Sequence, residues 1–223
     1  MPKYLYFISA LIGLGLLLAL PFPALASSLI ITKTDIPFDY FYRGTFDNLV
    51  LDFTLTLSQS DILTAISLQN IGTATDANQI ESMTLWLDDG PRGFQGLGID
   101  RKLGDMTYYN VMQNWYLNNL AVSIADSQRF FVSVEISNFI SSTGSIQMQI
   151  PRLKDVNGNG FYDFNDLGIF MASGNNGPID KDIVNTNAQN LSLITVDNFS
   201  PKINITNLFN GQEITTDNYL IEG

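Results

Sequence analysis

Leu49-Val50-Leu51-Asp52-Phe53-Thr54-Leu55-Thr56-Leu57 is the stretch that decides the fold, because Leu or Phe recurs at every second position from residue 49. A period of two is typical of a β-strand with one side buried and the other facing solvent. The same alternation recurs at residues 62–68, 83–87, 120–124, 130–136, 146–150 and 191–195. Gly, Asn, Asp and Ser fill the gaps, as in turns. So many short strands at this spacing predict an all-β fold, an antiparallel β-sandwich.

The first 26 residues have the organisation of a secretory signal peptide. Lys3 precedes an apolar run from residue 5 to 20, a Pro21-Phe22-Pro23 break, and Ala24-Leu25-Ala26 before Ser27. This order matches a short apolar core and a small-x-small cleavage site. The alternative is an uncleaved membrane anchor, for which the run is short. We therefore expect an exported protein, secreted or at the cell surface, whose mature chain from residue 27 has no membrane span.

The amino-acid composition excludes several classes of active site and disfavours several kinds of partner. The 223 residues contain 22 acidic and 11 basic side chains, a net charge of −11, and neither His nor Cys. An acidic surface disfavours nucleic acid and anionic lipid as partners. Without His and Cys the chain cannot build a Ser-His-Asp triad, a thiol nucleophile or a zinc site of nitrogen and sulfur ligands. A secreted chain of this size without disulfides must be stabilised by its core, with bound metal as the expected supplement.

Residues 155–166 (DVNGNGFYDFND) have the spacing of a calcium loop, with oxygen-bearing side chains at positions 1, 3, 5, 9 and 12 and Gly160 at position 6. The predicted ligands are the side chains of Asp155, Asn157 and Asn159, the Phe161 carbonyl, Asp163 directly or through water, and the closing carboxylate of Asp166. The alternative is an Asn-Gly-rich turn that binds no metal. We interpret the rings of Phe161 and Phe164 as packing that fastens the loop to the sandwich.

The loop resembles those of EF-hands, and more closely those of dockerin modules, whose loops end in Asp and run into a helix. The resemblance implies a short helix from Asn165 to about Ala172, stopped by Ser173-Gly174. The entering segment 146–153 alternates like a strand and contains Pro151, so a strand should replace the entering helix. A dockerin has a second loop-helix unit and this chain has no second intact loop, so cohesin binding does not carry over.

Weak calcium affinity is expected from this ligand set. Positions 3 and 5 are neutral amides, and Asp166 stands where EF-hands have a longer Glu. The dissociation constant should fall in the extracellular range of roughly 10⁻⁴ to 10⁻³ M. We interpret the loop as a structural clamp rather than a sensor.

A second segment, 87–94, can be laid over 154–161 with an Asp, a Gly and a Phe in common. Gly90 and Arg92 replace the oxygens of the calcium loop, so a long hairpin loop is the favoured interpretation. The alternative is a second metal site formed by Asp88, Asp89 and Asp100.

The remaining carboxylate pairs and aromatic residues give weaker indications of function. The carboxylate pairs Asp88-Asp89 and Glu81 with Glu135 show no spacing that indicates glycoside hydrolysis. Trp86, Tyr108-Tyr109 and Trp115-Tyr116 could stack on sugar rings, although burial in the core is the simpler interpretation for Trp86.

The C-terminal residues 198–223 differ from the body, with Pro201-Lys202-Ile203-Asn204-Ile205 followed by a turn at Asn210-Gly211 and a second apolar stretch. This pattern resembles the opening of bacterial immunoglobulin-like repeats and implies the start of a second, truncated module. The alternative is that these strands complete the first sandwich. We predict an immunoglobulin-like β-sandwich over residues 27–197, after a signal peptide over 1–26.

These features favour a non-catalytic, calcium-stabilised structural or adhesive module of a secreted or cell-surface, bacterial protein. Its partners would be calcium and either cell-surface polysaccharide or neighbouring modules. The first alternative is a carbohydrate-binding module attached to a polysaccharide-acting enzyme. The second is that the chain itself hydrolyses sugars.

Overall fold

The fold is that of a computed structural model, which describes residues 28–76, 78–90 and 93–192. The predicted signal peptide and the predicted second module lie outside these residues. The described strands are β1 Leu29–Thr34, β2 Tyr40–Tyr42, β3 Asn48–Leu57, β4 Asp61–Asn70, β5 Ile80–Leu87, β6 Arg101–Asp105, β7 Thr107–Tyr109, β8 Asn114–Leu117, β9 Val122–Ile124, β10 Ser127–Ile136, β11 Ser145–Ile146, β12 Met148–Ile150, β13 Ile169–Met171, β14 Ile183–Val184 and β15 Gln189–Ser192. The described part of the chain is therefore all-β, as predicted.

One sheet has five antiparallel strands in the order β1-β3-β10-β5-β6. At its centre Phe53 of β3 lies opposite Phe130 of β10, and their rings stack with centroids 5.4 Å apart. A register shift beside Val132 places Val50, rather than Leu49, fully inside the core. The alternation read from the sequence thus holds from Leu51 to Leu57 and is displaced by one residue at the start of the strand.

A second sheet is built around β4 and has the order β14-β12-β4-β8-β7, with β9 and β13 also paired to β4. All these pairs are antiparallel. Ile66 and Leu68 of β4 belong to the same buried cluster as Phe53 and Phe130 of the five-stranded sheet. Side chains from both sheets therefore form one core, which is the arrangement of a β-sandwich.

A third, small sheet joins sequence-distant strands in the order β11-β15-β2. Its β15–β2 pair is parallel, with Leu191 opposite Phe41, and is an exception to the antiparallel pairing. Both of these side chains are buried and belong to the common core. The small sheet therefore closes the sandwich with the first and last parts of the described chain.

The predicted helix over residues 165–172 is wrong. Gly168 has a φ of +104°, which no right-handed helix contains, and Ile169–Met171 form β13 along β4 instead. These three residues are fully or almost fully buried, so a β-branched and aromatic segment gains more from pairing with the sheet than from helix formation. Within the described residues, no helix has the length and hydrophobicity needed to cross a membrane.

Candidate metal centre

The predicted calcium loop connects β12 to β13 and is closed at its neck by backbone hydrogen bonds. Lys154 N donates to Leu167 O at 3.0 Å, and Leu167 N donates to Lys154 O at 2.9 Å. Leu153 N is held by Pro178 O at 2.7 Å. The predicted strand entry is confirmed, since β12 precedes the loop, and the exit is also extended. The ends of the twelve-residue loop 155–166 are therefore held together by an isolated antiparallel bridge between Lys154 and Leu167.

Asp155 and Asp166, at the two ends of the loop, are turned inward. Asp155 accepts hydrogen bonds from Gly158 N and Gly160 N, both at 2.7 Å. Asp166 has no exposed surface and accepts from Val156 N at 2.8 Å and from Asp163 N at 2.6 Å. An ionised carboxylate has about four lone-pair positions, so each of these Asp residues keeps acceptor capacity for a cation.

The side chains between them also bind the loop backbone. Asn157 Oδ1 accepts from Asn159 N at 3.0 Å, and Asn159 Oδ1 accepts from Phe161 N at 2.8 Å. Asp163 accepts from Asn165 N at 2.7 Å and from Asn157 Nδ2 at 3.0 Å. Every predicted side-chain ligand is therefore held in position by the loop itself, in a ladder of short local contacts.

The glycine at position 6 has the conformation that the sequence predicts. Gly160 has a φ of +77° and nothing within 4 Å of the point where a Cβ would stand. Its carbonyl accepts a hydrogen bond at 3.3 Å from Asn176 Nδ2, and the Asn176 amide also binds Met171 N at 2.8 Å. Asn176 thus ties the sharpest bend of the loop to β13. Asn176 lies outside the 155–166 motif, so the motif did not predict this role.

Tyr162 is the aromatic residue that anchors the loop, which sequence reasoning missed. Its ring packs on Tyr116 of β8 at 5.8 Å and on Phe170 of β13 at 5.5 Å. Phe164 also contacts Tyr116, at 5.3 Å, as predicted. Phe161 is 71% exposed, so the predicted packing of its ring is wrong. Three aromatic residues lie close together in the sequence, and no periodicity in a loop indicates which of them turns inward.

Burial raises the pKa of the Tyr162 hydroxyl, and nearby Tyr116 and the carboxylate of Asp166 add to the rise. The hydroxyl oxygen is enclosed and has no hydrogen-bond partner of normal geometry. Tyr162 therefore stays neutral and acts through packing rather than through its charge.

The electrostatics of the loop are those of an unneutralised acidic ring. None of the ion pairs of the described residues involves Asp155, Asp163 or Asp166. In the same part of the chain no three or more Asp, Glu, His or Cys side chains are grouped closely enough to hold a metal by themselves. Calcium at this loop would therefore depend on amide and carbonyl oxygens in addition to carboxylates. This donor chemistry suits a hard cation.

The alternative second metal site is not assembled. Asp88 lies 3.6 Å from Arg129 Nη1, and Asp89 lies 3.3 Å from Arg101 Nε, so the two carboxylates pair with different cations. Asp100 binds Gln95 N at 2.6 Å and Gly96 N at 3.0 Å. These contacts support the hairpin-loop interpretation of this segment.

Of the aromatic residues proposed for sugar stacking, the two Trp are buried, and Tyr108, Tyr109 and Tyr116 are half-buried. Trp86 is 3% exposed and donates from Nε1 to Ser133 Oγ at 2.9 Å, but it packs against Phe94 of the covering loop rather than against the opposite sheet. Trp115 is also buried, beside Tyr108 at 5.2 Å. Phe38, Tyr40 and Tyr42, which the sequence pattern did not indicate, are about half exposed.

Comparisons with known proteins place the chain in no family. No protein-family model matches it. No curated protein sequence shows significant similarity to it. The function must therefore be argued from the site itself.

Proposed function

We propose that the chain is a non-catalytic, calcium-stabilised structural or adhesive module of a secreted or cell-surface protein. The observation that supports this most directly is the arrangement of the 155–166 loop, whose two end carboxylates are fixed by backbone N–H groups while the loop carries no ion pair to a basic residue of the described chain. A divalent cation bound by the side-chain and carbonyl oxygens of the loop would offset the negative charge of its three carboxylates.

The location of the loop supports a structural rather than a signalling role. Its neck is closed by the two backbone hydrogen bonds between Lys154 and Leu167, and Tyr162 fixes its centre to β8 and β13. A clamp at this position would hold β12 and β13 together on the same sheet. The strands beyond both ends are already paired, so cation binding would leave their positions unchanged and would mainly oppose unfolding.

The residue chemistry supports the non-catalytic part of the proposal. The chain has no His and no Cys. Of its acidic pairs, Asp88 and Asp89 are occupied by arginine side chains, and Glu81 and Glu135 are exposed strand residues. None of these carboxylates combines burial with an open cleft, the setting in which a raised pKa suits acid catalysis.

Thermal unfolding in calcium and in chelator tests the clamp. With a dissociation constant of roughly 10⁻⁴ to 10⁻³ M, about 10 mM calcium should stabilise the fold by about 1.4 to 2.7 kcal/mol. For a domain of this size that corresponds to a rise in Tm of about 3 to 10 °C. Asp155→Ala should abolish most of this increment, because it removes the first ligand and the acceptor for Gly158 N and Gly160 N.

Asp180→Ala is the matched control, since Asp180 is exposed and lies outside the loop. This variant should keep the full calcium increment. The quantity to compare is the difference between the calcium and chelator curves of each variant, because Asp155→Ala also weakens the metal-free loop. Superimposable wild-type curves with calcium and with chelator would contradict the proposal.

A further inference from the structure

The outward face of the small sheet β11-β15-β2 carries a row of neutral polar and aromatic side chains. Ser145 of β11 is paired with Asn190 of β15, which is paired in turn with Tyr40 of β2. Directly paired residues project from the same face of a sheet, so these three side chains stand side by side. Their neighbours Leu191 and Phe41 point the other way and are buried. One face of this sheet therefore belongs to the core, and the other is open.

Aromatic rings continue along the β2 edge of this face. Phe38, Tyr40 and Tyr42 occur at every second position and are 49%, 51% and 45% exposed. The ring of Phe38 meets that of Tyr40 at 4.9 Å with an interplanar angle of 84°. This edge contact restrains the Tyr40 ring while leaving half of its surface free. A restrained, exposed Tyr is a residue type enriched at binding surfaces.

A shallow cleft of about 450 Å³ lies beside Tyr40, within the size range of small-ligand sites. Its walls include the hydroxyl residues Thr73, Thr143 and Ser145 and the amide of Asn190, and no charged residue lines it. Ser145 N donates to Thr73 Oγ1 at 3.0 Å, and Thr73 N donates to Ser145 Oγ at 3.1 Å, so this wall is held in place. Thr143 and Asn190 line the cleft, and among the described residues their side chains make no hydrogen bond.

We propose that this face binds a neutral polysaccharide, with Tyr40 stacking on a sugar ring and Asn190 and Thr143 hydrogen-bonding its hydroxyl groups. A sugar ring presents C–H groups on its faces and hydroxyl groups around its rim. The negative face of an aromatic ring attracts the C–H groups, and neutral amides and hydroxyls pair with the rim. The cleft supplies both kinds of group side by side.

The charges of the cleft and of the whole chain favour a neutral polysaccharide over an acidic one. The cleft contains no Lys or Arg, and the chain carries a net charge of −11. An anionic polysaccharide would be repelled by the whole molecule and would find no cation at the cleft. A second copy of this chain is also disfavoured as the occupant, because two molecules that each carry a net charge of −11 repel one another.

This inference goes beyond the calcium-stabilised framework and uses none of the residues 155–166. Its test is depletion of the purified full chain from solution by insoluble cellulose, chitin, xylan and starch granules, with pectate and chitosan as charged comparisons. The wild-type chain should be retained by at least one of the neutral polymers. Tyr40→Ala should lower the association constant at least about tenfold, and Asn190→Ala about threefold.

Phe139→Ala is the matched control, since this ring is 91% exposed and does not line the cleft. It should bind like the wild-type chain. Circular dichroism checks the fold of each variant, and Asn190→Ala carries the test alone if Tyr40→Ala does not fold. The melting curves test the calcium clamp and the depletion assay tests polysaccharide binding. The depletion assay can therefore be interpreted even if calcium does not stabilise the chain.

Three results would overturn the proposal. The first is absence of retention on every neutral polymer. The second is retention that Tyr40→Ala and Asn190→Ala leave unchanged, or that Phe139→Ala reduces equally. The third is self-association that Tyr40→Ala removes without any polysaccharide retention, which would assign the face to a second copy of the chain.

Discussion

At the scale of single residues, Asp52 shows how a polar position in an alternating strand can be buried. Its carboxylate is 3% exposed and receives both arms of Arg129, from Nε at 2.8 Å and from Nη2 at 2.6 Å. The guanidinium also lies over the Phe131 ring, 4.9 Å from its centroid. The hydrogen bonds to Asp52 raise the pKa of Arg129 above its usual value, so the guanidinium stays charged. This two-armed contact stabilises the outer face of the five-stranded sheet.

Arg129→Lys should destabilise the protein by about 1 to 3 kcal/mol, although the charge is kept. A lysine ammonium cannot reproduce the planar fork that engages both Asp52 oxygens, and it loses the flat contact with Phe131. Urea unfolding at neutral pH measures the change in the free energy of unfolding.

Arg101→Lys is the matched control for this substitution. Arg101 pairs with Asp89 at 3.3 Å, but both side chains are about half exposed. The change should therefore alter the free energy of unfolding by less than about 0.5 kcal/mol. If the two substitutions changed the free energy of unfolding equally, the fork geometry at Arg129 would contribute nothing to stability.

At the scale of elements, the exit of the 155–166 loop depends on one close backbone approach. A Cβ on Gly168 would stand 2.7 Å from Gly177 O and 3.1 Å from Leu153 Cα. Ser67 N of β4 donates to Gly168 O at 2.8 Å, so the residue cannot move away from the sheet. Gly168 is therefore the point at which the loop is pressed against β4.

Gly168→Ala should cost about 2 to 4 kcal/mol, because a left-handed φ and a backbone collision act together. Gly174→Ala provides the comparison, since Gly174 has a φ of +82° but open space around it. That variant should cost only about 1 kcal/mol. Thermal or urea unfolding of both variants measures the difference. Equal costs would mean that the neck relaxes around the added methyl group.

The same elements show what the sequence could and could not predict. Alternating apolar residues at 51–57 and 130–136 predicted β3 and β10, although residues 51–53 and 130–134 are buried at every position. The strand entering the calcium loop was predicted from Pro151 and the alternation before it. The helix after the loop was predicted from resemblance, and its residues pair instead with β4, a partner about 100 positions earlier in the chain.

The candidate site also has some features that the sequence predicted and others that it could not predict. Local contacts such as Asp155 with Gly158 and Gly160 follow from spacing within the loop, so the motif predicted them. The roles of Tyr162 and Asn176 depend on which strands lie beneath the loop, and the motif contains no information on that. The Tyr40 cleft depends on β2 meeting β15, a parallel pairing that single-sequence periodicity does not indicate.

At the scale of the whole molecule, the excess of negative charge opposes compactness. The chain has a net charge of −11, and in its described part ion pairs engage only Asp35, Asp52, Asp88, Asp89 and Asp105. Self-repulsion of this kind lowers the stability of the compact state and is screened by salt.

Raising NaCl from about 10 mM to about 200 mM in the presence of chelator should therefore increase the Tm at pH 7 by a few degrees. At a pH near the sequence pI of 4.1 the positive and negative charges balance, and the same salt change should have little effect. Differential scanning calorimetry at the two pH values measures this. A Tm that falls with salt at pH 7 would mean that attractive ion pairs outweigh the repulsion.

The parallel pairing of β2 with β15 also determines how the molecule would respond to tension. Because the two strands run in the same direction, opposite pulls on the chain before Asp39 and after Ser192 would slide one strand along the other. The hydrogen bonds between them, including that from Asn190 N to Asp39 O, would then be strained together rather than opened one after another. A chain under tension between these two points would in this way resist mechanical extension at its smallest sheet.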